Sequence, residues 1–272
     1  MKFLIGILFC LHFAYLKASA QNGNFELGAR SLGISGSSIT ISDAYAGFNN
    51  IGALAGQDGI STCFSSSILY GIPDLLKTGV ALNKGLFKGV GSLSVYRFGN
   101  GNLSEQKISL GYSHQIRFIS LGIQFGYIQV LIPNYGSTGS LSFEFGGLIK
   151  AGRKIFIGGY LFYPMVSGKG SDYPGFLNTI LKMGLSYRPS ENLMANIEYK
   201  WKFSTASVVT VGFEYMIRGK VALRTGFNTN TLQSTVGLGF MPGKFRLDYA
   251  VMIHSVLGIS NELSVNVNFS NP

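Results

Sequence analysis

The stretch that most limits what this chain can become is NLMANIEYKWKF, residues 192–203. Leu193, Ala195, Ile197, Tyr199, Trp201 and Phe203 are apolar or aromatic; Met194, Asn196, Glu198, Lys200 and Lys202 between them are almost all polar or charged. Alternation this strict places one face of an extended strand in an apolar medium and the other in water. A helix would spread the same charges around its circumference. Segments of the same kind recur to the end of the chain, with the apolar side strongest near Trp and Tyr. That is how the wall of a transmembrane β-barrel reads.

The chain opens with basic Met1-Lys2, an apolar run from Phe3 to Leu16, and the small-x-small site Ala18-Ser19-Ala20. This pattern is a secretion signal with cleavage before Gln21. Cys10 leaves with it, and no lipoprotein-type cysteine stands at the cleavage point. Beyond the signal, no stretch approaches the roughly 20 continuous apolar residues of a spanning helix. Yet only 12% of the chain is charged, against about 25% in an ordinary soluble domain, and mean hydropathy is positive. A barrel reconciles these facts, because its backbone groups are all satisfied between strands. The net charge is +10, or +8 without Lys2 and Lys17, and it is spread along strands and turns. Nucleic-acid binding needs a clustered basic footprint and is set aside. Cys63 is the one cysteine after the signal, so no disulfide framework is expected.

From Gly59 onward the alternation predicts fourteen strands, at about 59–71, 77–84, 88–99, 103–115, 118–132, 137–151, 153–164, 176–189, 191–203, 205–218, 220–230, 233–242, 244–256 and 259–270. Twelve is the alternative count. Connections after even-numbered strands are short and carry Gly, Pro and basic residues, as at Gly152-Arg153, Pro189-Ser190-Glu191, Arg218-Gly219-Lys220 and Pro242-Gly243-Lys244. These suit tight periplasmic turns. The opposite connections are longer, with Pro164–Gly175 the longest. The expected fold is an all-β, transmembrane, antiparallel barrel over 58–272, behind a cleaved signal at 1–20 and a distinct segment at 21–57.

That segment does not alternate. It carries Gly28-Ala29-Arg30-Ser31-Leu32-Gly33, Ser42-Asp43-Ala44-Tyr45-Ala46, and Asn49 to Ala55. These residues resemble the N-terminal segment of the PorV/PorQ group within the FadL-like outer-membrane barrels. Asn50-Ile51-Gly52-Ala53-Leu54 stands where that group has Asn-Pro-Ala-Gly-Leu. The resemblance implies a hatch folded inside the lumen, with Arg30, Asp43, Asn49 and Asn50 among its residues. Gly184-Leu185-Ser186-Tyr187-Arg188-Pro189, Gly212-Phe213-Glu214-Tyr215, Leu223-Arg224-Thr225-Gly226, Asp248-Tyr249-Ala250 and Leu257-Gly258 are similar to the same group's C-terminal half.

Strand parity sorts the side chains. Leu181, Met183, Leu185 and Tyr187, Phe213 and Tyr215, Leu247 and Tyr249, and Leu263 and Val265 are expected to face lipid. Lys182, Arg188, Glu198, Lys200, Lys202, Glu214, Arg224, Arg246, Asp248 and His254 are expected to face the lumen. Turn arithmetic sets Glu214 opposite Arg224, about a hairpin centred near Gly219. A hairpin centred on Ser190 sets Lys182 opposite Glu198. Opposite charges so placed are favourable. They would brace the interior together with Arg30 and Asp43, or select solutes in a polar conduit.

Catalysis finds little footing. His254 lies near Asp248 and precedes Ser255, but that serine points to the other face of the strand. Gly33-Ile34-Ser35-Gly36 lacks a nucleophile elbow's second spacer. The two histidines and one cysteine that follow the signal give no metal-ligand spacing, and no cofactor loop is present. The resemblance implies an accessory barrel in the bacterial outer membrane, bathed in lipid, docking envelope or type IX secretion proteins. The small, polar connection at Pro164–Gly175 would serve a fatty ligand poorly and agrees with that role. The alternatives are a FadL-like passive uptake channel for a hydrophobic small molecule and a purely structural barrel.

Overall fold

A computed structural model of the protein describes residues 24–57, 59–134, 136–165, 177–203, 205–229 and 232–269. The expected signal and most of the 164–175 connection lie outside them. Fourteen strands form the wall: β1 (Ile60–Ile68), β2 (Leu76–Leu86), β3 (Gly89–Gly99), β4 (Ser104–Ile116), β5 (Ile119–Ile132), β6 (Gly136–Lys150) and β7 (Ile155–Met165), then β8 (Ile180–Ser190), β9 (Leu193–Lys202), β10 (Thr205–Ile217), β11 (Val221–Asn228), β12 (Gln233–Phe240), β13 (Phe245–His254) and β14 (Gly258–Asn268). Each strand pairs with its sequence neighbours, and β1 pairs antiparallel with β14, from Ser61 opposite Asn268 to Ile68 opposite Asn261. The sheet is closed, and the count is fourteen rather than twelve.

The turns after even strands gather at the end where β1 begins and β14 finishes, here called the near end. Arg218 and Gly219 take φ of 50° and 67°. Two successive left-handed residues make the primed turn whose twist matches a tight hairpin. A short 3-10 turn at Pro73–Leu75, which the alternation does not signal, joins β1 to β2 at the far end.

Alternation holds around the wall. Phe64, Leu93, Leu110, Phe125, Met183, Ile197, Phe213, Leu238 and Leu263 stand exposed on the outside, while Lys182, Glu198, Glu214, Arg224 and Asp248 are buried inside. An apolar belt encircling the whole molecule is far larger than water tolerates on a soluble surface. Hydrocarbon is the medium that matches it.

Residues 24–57 run inside this wall. They carry two short helices, α1 (Ala29–Gly33) and α2 (Ala46–Asn49), and a 3-10 turn at Ile51–Gly56. Helix α1 rests on β11 to β14, and the 3-10 turn rests on β3 to β7, so the segment crosses the lumen from one side to the other. Inward-facing glycines let it sit close. Gly122 and Gly146, paired across β5 and β6, admit Ile51 and Gly52; Gly158 and Gly184, paired across β7 and β8, admit Ile39; Gly212 and Gly226, paired across β10 and β11, admit Ile34.

Two outcomes follow from this architecture. An arginine in place of Ile197, midway along β9, is expected to cost about 2–4 kcal/mol, and one in place of Leu193 at the rim about 0–1 kcal/mol; denaturant titration of barrels folded into lipid vesicles measures both. A Cβ at Gly146 would collide with the Asn50 amide and the Gly52 backbone. Gly146→Val should therefore expel the inner segment and expose Arg30 to trypsin, while the wall keeps its heat-modifiable gel migration. Unchanged protection of Arg30 would sink that account.

Candidate functional site

Two clusters of charged side chains in the interior join the wall to the inner segment. In the first, Glu214 on β10 faces Arg224 on β11 in register, and Arg224 Nε donates to Glu214 Oε2 at 2.6 Å. Arg224 Nη2 also lies 2.9 Å from Asp248 Oδ1 on β13, and Arg246 Nε donates to Asp248 Oδ2 at 2.8 Å. From the segment, Arg30 pairs with Glu214 through Nη2 and Nε, the latter at 2.8 Å, and its Nη1 lies 3.4 Å from Asp43. Glu214 thus sits among three arginines, with Asp248 and Asp43 completing the balance. Burial alone would lower the Arg30 guanidinium's affinity for its proton; Glu214 and Asp43 override this and raise its pKa above the ordinary value.

The second cluster departs from the turn arithmetic. Lys182 stands opposite Lys200, and Glu198 stands opposite Gly184, so the expected Lys182–Glu198 pairing does not form. The turn is Glu191-Asn192, with Ser190 opposite Leu193, and a bulge between Tyr187 and Ser190 adds one residue to β8. Pro189 sits in that bulge, where a residue with no N–H costs the ladder nothing. The net slide is two residues, which keeps every side chain on its expected face but changes its partner. Two ammonium groups left side by side are reconciled by Glu26 of the inner segment: Lys182 Nζ and Lys200 Nζ lie 3.0 and 2.6 Å from its Oε1. Burial would raise the Glu26 carboxyl, but these two lysines hold it well below the usual carboxylate range. Glu198 instead accepts from the Ile39 N–H at 3.0 Å.

Asn49, Asn50 and Arg188 serve the same junction. Asn49 clamps the Leu27 backbone, with Nδ2 donating to Leu27 O at 2.9 Å. Asn50 donates to Ile39 O at 2.7 Å, and its Oδ1 accepts from Gly52 N–H at the head of the 3-10 turn. Arg188 donates to Thr40 O at 2.9 Å. Lys202 is half-buried at the end of β9. His254 lies at the far end of β13, where its Nδ1 accepts from the Val256 and Leu257 N–H groups and its ring meets Tyr70 edge-on. His114 Nδ1 lies 2.6 Å from Lys88 O in the adjoining turn. Both histidines are engaged in turns rather than aimed at a serine.

Several residues were not singled out by sequence. Glu26 is one. Lys107 on β4 and Glu144 on β6 form another buried pair at 2.5 Å, joined by Tyr160, whose hydroxyl donates to Glu144 at 2.7 Å. Glu262 on β14 accepts from the Gly28 N–H at 2.6 Å. The parity rule applied to β4, β6 and β14 marks Lys107, Glu144 and Glu262 as inward-facing; nothing in the local sequence around Glu26 announces its partners. Toward the far end aromatic side chains sit among the buried charges of Lys77, Glu105 and Lys107. Tyr96, Phe98, Ile128, Phe162 and Ile180 gather around Phe25 of the segment, and Lys107 Nζ lies 4.4 Å from the Phe25 ring centre.

Glu214→Gln leaves three arginines around a neutral amide. Breaking a buried pair this way costs about 3–5 kcal/mol, and a marked fall in the melting temperature followed by circular dichroism is expected. A melt unchanged from the parent would remove the cluster's bracing role.

No protein-family model and no curated protein matches the chain. Solved structures do. The toluene transporter TbuX of Ralstonia pickettii is similar at a TM-score of 0.71 and 11% identity, over 91% of this chain and 100% of that one. The toluene transporter TodX of P. putida is similar at 0.68 and 11%, over 92% and 100%. The monoaromatic hydrocarbon channel CymD is similar at 0.67 and 13%, over 92% and 98%. At these identities the likeness concerns architecture. The chain shares its fold with these transporters and this channel, a closed barrel that here has fourteen strands.

Proposed function

We propose that the protein is an integral, non-enzymatic barrel of the outer membrane that passes hydrophobic small molecules, with residues 24–57 acting as its hatch. The observation that carries this reading is the aromatic cluster in the far half of the lumen, where Tyr96, Phe98, Ile128, Phe162 and Ile180 pack around Phe25 of the hatch, with Glu105 and Lys107 between them in the wall. A water-filled pore for polar solutes carries a polar interior. Withdrawal of Phe25 with the hatch would bare this cluster and give a greasy solute a surface to leave water for, at about 25 cal/mol per Å² covered. The charged clusters lie around the hatch, where they hold it in place and close the path to ions. Neighbours sharing the fold are described as toluene transporters and a monoaromatic hydrocarbon channel, which agrees with a small aromatic solute.

The docking role has its own support in the PorV/PorQ-like residues, Gly28 to Gly33 and Ser42 to Ala46 among them. The three neighbours named above do not carry it further, and the Pro164–Gly175 connection that had favoured it lies mostly outside the described residues. One pair of measurements separates the two. Radiolabelled toluene should accumulate several-fold faster in cells whose outer membrane holds the barrel than in cells without it. Phe162→Asp should abolish the gain. No gain from a correctly inserted barrel, together with stoichiometric recovery of envelope proteins in mild detergent, would transfer the assignment to docking.

A further inference from the structure

A cavity of about 490 Å³ lies at the near end, between the hatch and strands β7 to β10. That is within the roughly 300–1,000 Å³ of small-molecule sites. Its rim is basic. Arg153 and Lys154 come from the β6–β7 turn, Arg188 from the end of β8 and Arg30 from the hatch; Glu191 and Glu214 are the carboxylates that line it. Glu214 is already taken by Arg30, Arg224 and Arg246. Arg188 differs from the other inward-facing arginines. Among the described residues it has no carboxylate within ion-pair distance, only the Thr40 carbonyl at 2.9 Å and the Ser186 hydroxyl at 3.3 Å. Its guanidinium lies over the Phe156 ring, 3.9 Å from the ring centre, which fixes the plane of the fork.

A guanidinium carries five N–H donors. Two of those on Arg188 are engaged, and the rest are free for a ligand. The backbone N–H of Arg188 donates to Lys154 O at 2.7 Å, so the Arg153-Lys154 turn is tied beside it and adds positive charge at the mouth. Apolar side chains complete the lining, with Met194 and Met216 turned inward. We propose that this cavity binds a small organic anion with an apolar body, of the aromatic carboxylate class, its carboxylate on the Arg188 fork and its ring against Met194 and Met216. A bidentate carboxylate suits the planar fork, and the ring replaces water on the thioether wall. The site does not depend on the uptake reading, since it lies at the other end of the lumen from the aromatic lining and needs no transit.

The cavity supplies its own reporters. In the full barrel, labelled with ¹³C-methyl methionine and embedded in lipid nanodiscs, 4-fluorobenzoate should shift the Met194 and Met216 methyl resonances saturably. Met183, which points outward into lipid, should not move. Arg188→Gln should weaken the titration at least tenfold while gel mobility shows the barrel still folded. Absence of saturable shifts, or shifts at Met183 as large as those at Met194, would overturn the site. Inorganic phosphate moving the same methyls with equal affinity would overturn it as well, because the apolar wall would then have no part. The wild-type titration stands alone should the Arg188 variant fail to fold.

Discussion

Every N–H and C=O in the wall must find its partner in a neighbouring strand, because hydrocarbon offers none. The pairing of β1 with β14 meets that demand for the two strands that would otherwise be edges. Once the sheet closes, the strand number sets the width of the interior. Eight strands leave room that side chains can fill, and larger barrels leave a lumen. Fourteen strands of this chain therefore enclose more space than their inward-facing side chains occupy.

Residues 24–57 take up that space, and the wall is shaped to receive them. Side chains are missing where the segment approaches closest, at Gly122 and Gly146 or Gly212 and Gly226. Where the segment leaves backbone groups unpaired, the wall supplies acceptors and donors: Glu262 for the Gly28 N–H, Glu198 for the Ile39 N–H, Lys182 for the Asn49 carbonyl. Burying so much charge is costly unless each group is matched. Sharing the match between segment and wall makes each half incomplete without the other. Lys182 and Lys200 would repel one another were Glu26 not between them.

The same division separates the two ends of the lumen. The arginine cluster lies toward the near side, whereas in the far half aromatic side chains gather with Glu105 and Lys107 between them. At the near end, the Arg188 cavity presents charge to whatever lies beyond. The interior is graded rather than uniform, and its gradient follows from where the segment's charged and apolar residues fall.

The amino-acid sequence by itself determined the fold class, the fourteen strands to within a few residues, and the face on which each side chain of the second half lies. A period of two has only two phases, and one of them must meet lipid. It also marked Glu214 and Arg224 as neighbours, since an Arg-Gly turn defines its own centre. Only the tertiary structure decided the partners of Lys182, Lys200 and Glu198. A turn at Glu191-Asn192 and a one-residue bulge at Pro189 together slide the register by two residues, which leaves the alternation untouched, so no pattern of polar and apolar residues records it. The place of Glu26 was likewise beyond the sequence, because its lysines come from strands more than 150 positions away and meet it only when the wall has closed around the segment.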